Sequence, residues 1–156
     1  CCKTMIYREL NIPKYNWIVH IFYHVTCYWT DEIMDCLKSI GCPPQKLKES
    51  YRNLEACKLN TGLSYSNYHL RESVMVIGKT SSLEEFSDSL MHELRHLEDH
   101  LAIVYKMPAG GEEIAYLAGY IGRKLSKDIQ MFICSCDCHK HQKKRLCEKK
   151  TRKYRS

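Results

Sequence analysis

Leu83, Phe86, Leu90, Leu94, Leu97 and Leu101 recur at spacings of three and four, which on a helix puts them in one stripe and predicts an amphipathic helix over residues 82–103. Ser82, with Glu85 three positions on, supplies a capping box at its start. A second stripe, Ile114, Leu117, Ile121 and Leu125, predicts another helix after the turn Met107-Pro108-Ala109-Gly110-Gly111. Upstream the character changes. Residues 17–25, rich in β-branched and aromatic side chains, read as a strand, and residues 63–68 and 73–78 read as a hairpin around His69-Leu70-Arg71. Between them Thr30 caps a helix over about 31–40, broken by Gly41-Cys42-Pro43-Pro44, and Leu47, Tyr51, Leu54 and Cys57 mark a helix over about 45–59. Strand, two helices, hairpin and two helices predict an α+β domain with a small, mostly antiparallel sheet.

The long helix carries chemistry. His92-Glu93-Leu94-Arg95-His96 has the form HExxH, which puts two imidazoles one turn apart on one face, able to share a zinc ion, with a carboxylate beside them to polarise a water. At about 100° per residue from Leu90, His92 falls near 200°, His96 near 240° and Glu93 near 300°, away from the leucine stripe and toward a cleft or solvent. The competing description is a charged, solvated helix face that happens to carry histidines. Such a zinc site needs a third protein ligand. Glu112 and Glu113 open the next helix; Glu112 is preferred because Tyr116 then lies four residues on, over the same face, while Glu113 would put Leu117 there. Favourable charge at a helix N-terminus accounts for the same pair without a metal. In this scheme Glu93 is the catalytic base, and His100, Tyr116, Tyr120 and Arg123 are candidate donors to an oxyanion. His20 and His24 share a strand face, where packing is the simpler account.

These segments resemble the zincin-like metallopeptidases of the glutamate-ligand (gluzincin) type. More narrowly, residues 60–67 and 73–78, His92-Glu93-Leu94-Arg95-His96-Leu97, and Glu112-Glu113-Ile114-Ala115-Tyr116-Leu117 resemble small zincin-like proteins of phages and mobile elements from gut anaerobes, over about residues 60–125. The resemblance implies one catalytic Zn2+ on His92, His96 and Glu112, with Glu93 as base in the hydrolysis of peptide bonds, and it implies no particular substrate. By analogy with zincin clefts, the segment Ser73, Val74, Met75, Val76 and Ile77 is expected to be an edge strand that binds an extended peptide. The chain departs from better-known patterns: Asp99 and Ala102 stand where the longer HExxHxxGxxH motif has Gly and His, and Tyr116 or Leu117 replaces the Asp of thermolysin-like enzymes.

Composition sets the frame. The 156 residues, 44% hydrophobic, suffice for one domain with a core. No run of about 18 apolar residues occurs and the first residues lack the blocks of a signal peptide, so the expectation is a soluble protein with no membrane partner, in the cytoplasm of a bacterial host if the phage resemblance holds. Of ten cysteines, Cys27, Cys36, Cys42 and Cys57 fall in or beside apolar patterns and are expected to be reduced. Nine of the 24 Lys and Arg and one of the 18 Asp and Glu lie in residues 139–156, a net +8, so the preceding 138 residues carry −2 although the whole chain is +6. The boundary therefore falls between a zincin-like domain over 1–133 and a basic tail over 134–156, a flexible appendage or a segment for an acidic partner such as nucleic acid. Cys134, Cys136, Cys138, His139 and His141, with Cys147 beyond, could gather a second metal, although the spacing is not that of a common zinc finger. The alternatives to a peptidase are a catalytically silent zincin-fold binding module and a basic-tailed nucleic-acid-associated protein.

Overall fold

Alternation along the strands decides which helices cover which face. The computed structural model describes residues 5–56 and 62–133. The order is β1 (Ile6–Ile12), β2 (Trp17–Val25), α1 (Thr30–Ser39), α2 (Pro44–Glu55), β3 (Gly62–Asn67), β4 (Glu72–Gly78), α3 (Leu83–Tyr105) and α4 (Glu112–Ile133). Trp17, Val19, Ile21 and Tyr23 of β2 join Ile6, Leu10 and Ile12 of β1 and Met75 and Ile77 of β4 in a core shared with α3 and α4. Residues of the other parity, including Phe22, Val74 and Val76, pack with Ile33, Met34 and Leu37 of α1 and Leu54 of α2. The sheet is thus covered on both faces.

Its strand order is β1-β2-β4-β3. β1 with β2 and β3 with β4 are antiparallel, while β2 and β4 are parallel, so the α+β class stands and the sheet is mixed. Residues 73–77 do not form the expected edge strand. These residues belong to β4, which bonds to β2 on one side and β3 on the other, and the edge beside α3 is β3.

Local signals account for most elements. Ser82 caps α3 by accepting the Glu85 N–H at 3.2 Å, and the Glu85 carboxylate accepts from Ser81, through its backbone N–H at 2.8 Å and its hydroxyl at 2.9 Å. Phe86, Leu90, Leu94, Leu97 and Leu101 are buried as the stripe predicts, whereas Leu83 is exposed. Thr30 lies inside α1 rather than capping it, and its hydroxyl donates to the Cys27 carbonyl at 2.8 Å. In α2 the buried positions are Ser50 and Leu54, and Tyr51 turns outward. Cys57 lies outside the described residues.

β1 carries no clear signal in the sequence, because Arg8 interrupts its apolar row. That guanidinium answers Asp128 on the buried stripe of α4, with Nε 3.0 and 2.9 Å from the two carboxylate oxygens and a further Nη2 contact. Together with Tyr23 against Phe132 and the Tyr120 hydroxyl donating to the Asn11 carbonyl, the pair fixes α4 over the β1–β2 half of the sheet. α3 lies over the β4–β3 half, where Ser64 and Ser66 of β3 bond Glu93 and His100.

Candidate metal centre

α3 delivers the HExxH residues as a helix must. His92 and His96 are exposed, and their Nε2 atoms stand 3.0 Å apart. Two imidazoles bound tetrahedrally to one zinc at about 2.0–2.1 Å would hold their nitrogens roughly 3.3 Å apart, so the pair needs little adjustment to share an ion. The same separation suits one ring donating an N–H to the other. Glu93 turns the other way, 2% exposed, under β3, where Ser64 Oγ donates to Oε2 at 2.7 Å.

β3 comes this close because its α3-facing row is small: Gly62, Ser64 and Ser66. A Cβ on Gly62 would stand 2.8 Å from Glu93 Cγ and 2.9 Å from Oε1, and would collide with the Val76 carbonyl oxygen. Gly62→Ala is therefore expected to push β3 off α3 and to destabilise the fold by about 1–3 kcal/mol, read by chemical denaturation. An unchanged midpoint would show that the strand gives way at no cost. Sequence reasoning missed this row, although small residues at every second position of a strand were the signal for it.

The expected third ligand is elsewhere. Glu113 Oε1 accepts from Lys14 Nζ and the Tyr15 hydroxyl, each at 3.2 Å, at the turn between β1 and β2. Glu112 and the 73%-exposed Tyr116 belong to the same first turns of α4. Phe86 stacks on Phe132, with ring centroids 4.4 Å apart, so α3 and α4 run antiparallel. The 20 residues from Glu112 to Phe132 then span about 30 Å, while His92 is only about 9 Å along α3 from Phe86. α4 also lies on the flank of α3 opposite β3. The structure therefore separates Glu112, Glu113 and Tyr116 from the two histidines, and among the described residues no three His, Cys, Asp or Glu side chains gather to hold a metal.

His100, half-buried, stays on the β3 side: Ser66 Oγ lies 2.8 Å from its Nδ1, and the Tyr68 ring packs 5.8 Å away. Burial lowers its pKa, His96 and Lys46 act in the same direction, and Asp99 opposes them. Tyr120 and Arg123 ride on α4, Tyr120 bonded over β1, away from the pair. His20 is held by the Tyr7 hydroxyl at 2.8 Å and Glu72 at 3.4 Å, and a bulge with φ 59° at His24 breaks their common strand face.

No family model, curated protein or solved structure matches the chain.

Among the described residues no helix is long and apolar enough to cross a membrane. Cys36 and Cys42 are free thiols, and burial pushes Cys36 up to about 11, far from a reactive thiolate. Cys27 is exposed and disulfide-bonded. That departs from the expected reduced state at Cys27, whereas Cys36 and Cys42 are free as expected. Cys134, Cys136, Cys138, His139, His141 and the basic run lie outside the described residues.

Proposed function

We propose that the chain is a zinc-dependent, zincin-like metallopeptidase in which His92 and His96 hold the ion and Glu93 is the general base. The observation that carries this reading is the pair of Nε2 atoms 3.0 Å apart on α3, with Glu93 in the adjoining turn against an edge strand. Zinc bound there would lower the pKa of a coordinated water toward about 7. The described residues place two ligands at the pair where catalytic zinc sites take three, so this reading requires a third ligand from elsewhere. Ser64 orients the Glu93 carboxylate by its hydrogen bond to Oε2, and for Glu93 to take a proton from a zinc-bound water and return it to the leaving amine, this buried side chain would have to turn out from under β3 toward the histidine pair. The outer edge of β3, rather than Ser73–Ile77, offers backbone donors and acceptors to an extended peptide.

A second reading, a silent binding module of the same build, is favoured by one feature: the side chain of Glu93 is buried under β3 while Glu112 and Glu113 sit on the far flank. The two are separated by measuring zinc content, melting temperature and cleavage of a broad peptide library on the whole chain and on His96→Ala. Zinc at about 100 times its Kd should stabilise the wild type by roughly 2.7 kcal/mol, and His96→Ala should lose that increment, whatever metal the tail cysteines hold. No zinc-dependent stabilisation would end the metal reading. Stabilisation without any cleavage would leave the silent module.

A further inference from the structure

The state of His100 is set by a buried hydroxyl two bonds away. Ser73 is 2% exposed, and its Oγ accepts a 2.8 Å bond from Trp17 Nε1, a group that can only donate. The hydroxyl proton of Ser73 then needs an acceptor. Ser66 Oγ, directly across the β3–β4 ladder, is 2.7 Å away. Having accepted that bond, Ser66 donates onward to His100 Nδ1 at 2.8 Å. Reversing the direction would leave the Ser73 proton buried with no acceptor among the described residues, an arrangement that folded proteins avoid. Nδ1 is thus an acceptor, and an imidazole that accepts there is neutral and carries its proton on Nε2. Among the described residues no protein atom bonds that Nε2.

We propose that Trp17, Ser73 and Ser66 are positioning residues that lock His100 as a neutral Nε2–H imidazole, a hydrogen-bond donor one helical turn from His96. Its use toward a peptide carbonyl rests on the function proposed above; the lock itself does not. The charged and titratable groups around the ring are His96 and Asp99 on α3, Lys46 on α2 and Tyr68 after β3. Protonating Nδ1 would break the bond to Ser66, so the chain and the surroundings both favour the neutral ring.

Nitrogen-resolved NMR of the histidine rings in the whole chain, metal-free and zinc-loaded, over about pH 5 to 8, tests the lock. The wild type should show His100 as the Nε2–H tautomer. Ser66→Ala should mix the tautomers and move the titration to higher pH, and Ser66→Thr, which keeps the hydroxyl, should restore both. A wild-type proton on Nδ1 overturns the lock, as does a Ser66→Ala spectrum with unchanged tautomer and titration. If Ser66→Ala does not fold, Ser73→Ala replaces it with the same expectation. In the zinc-loaded protein, Ser66→Ala should lower kcat for peptide cleavage by about tenfold, with KM and zinc content little changed and the acid limb of the pH profile moved up. An unchanged kcat would remove His100 as a donor in the reaction. A wild type that cleaves nothing sinks the peptidase reading, and the NMR result still decides the lock.

Discussion

If the proposed function holds, Glu93→Gln should keep the zinc and lower peptide hydrolysis by a factor of about 10² or more. The replacement has the size and outline of the native side chain, and the Ser64 hydroxyl, which donates to Oε2 at 2.7 Å, can donate equally to an amide oxygen. What disappears is the capacity to take a proton. Because the group is 2% exposed, an amide there must find a partner for its N–H, so a loss of stability of about 1 kcal/mol is expected beside the kinetic effect. The decisive comparison is turnover per bound zinc at equal folded fraction. Cleavage that survives Glu93→Gln would show that another group handles the proton and would overturn the proposed mechanism.

Arg8→Met should cost about 3–5 kcal/mol of stability. Asp128 is 1% exposed in side chain, while Arg8 is 38% exposed, so the two ends of the pair are unequal. Removing the arginine leaves a buried carboxylate without its cation. Removing the carboxylate lets the long arginine side chain turn to water, so Asp128→Ala should cost clearly less. The bond to Asp128 raises the Arg8 pKa although burial works against it, which fits a guanidinium held by its partner. Urea denaturation of both variants measures the asymmetry. Equal losses would show that the pair acts only through packing.

Arg8 also marks where the sequence stops being legible. The strand β2, the hairpin of β3 and β4, and the helices α3 and α4 all follow from short-range periodicity and caps, because each pattern repeats within a few residues. β1 has the same alternation, but Arg8 stands between Ile6 and Leu10, and the carboxylate that satisfies it is 120 residues away. The candidate site divides in the same way. The convergence of His92 and His96 is a property of one helix turn and could be read directly. Whether Glu112 reaches them depends on the flank of α3 on which α4 lies, and that is settled by Arg8–Asp128, Tyr15–Glu113 and Tyr23–Phe132, contacts with no local signature. Likewise Ser73–Ile77 read as a strand, but its neighbours on both sides depended on β2 pairing with β4 in parallel.

That one parallel pairing has a kinetic consequence. Ile21 lies beside Met75, so closing this ladder joins segments roughly fifty residues apart, whereas β3, β4 and α3 are consecutive in the chain and pair over short separations. The histidine pair, the glutamate and the strand that covers it all come from the consecutive stretch, and only Trp17 arrives from the distant half. During refolding the local unit is expected to form first, with docking of β2 onto β4 completing the sheet afterwards. If the pair binds zinc as proposed, an ion present from the start would meet the two imidazoles before the domain is whole, and would act on the rate of assembly as well as on the final equilibrium.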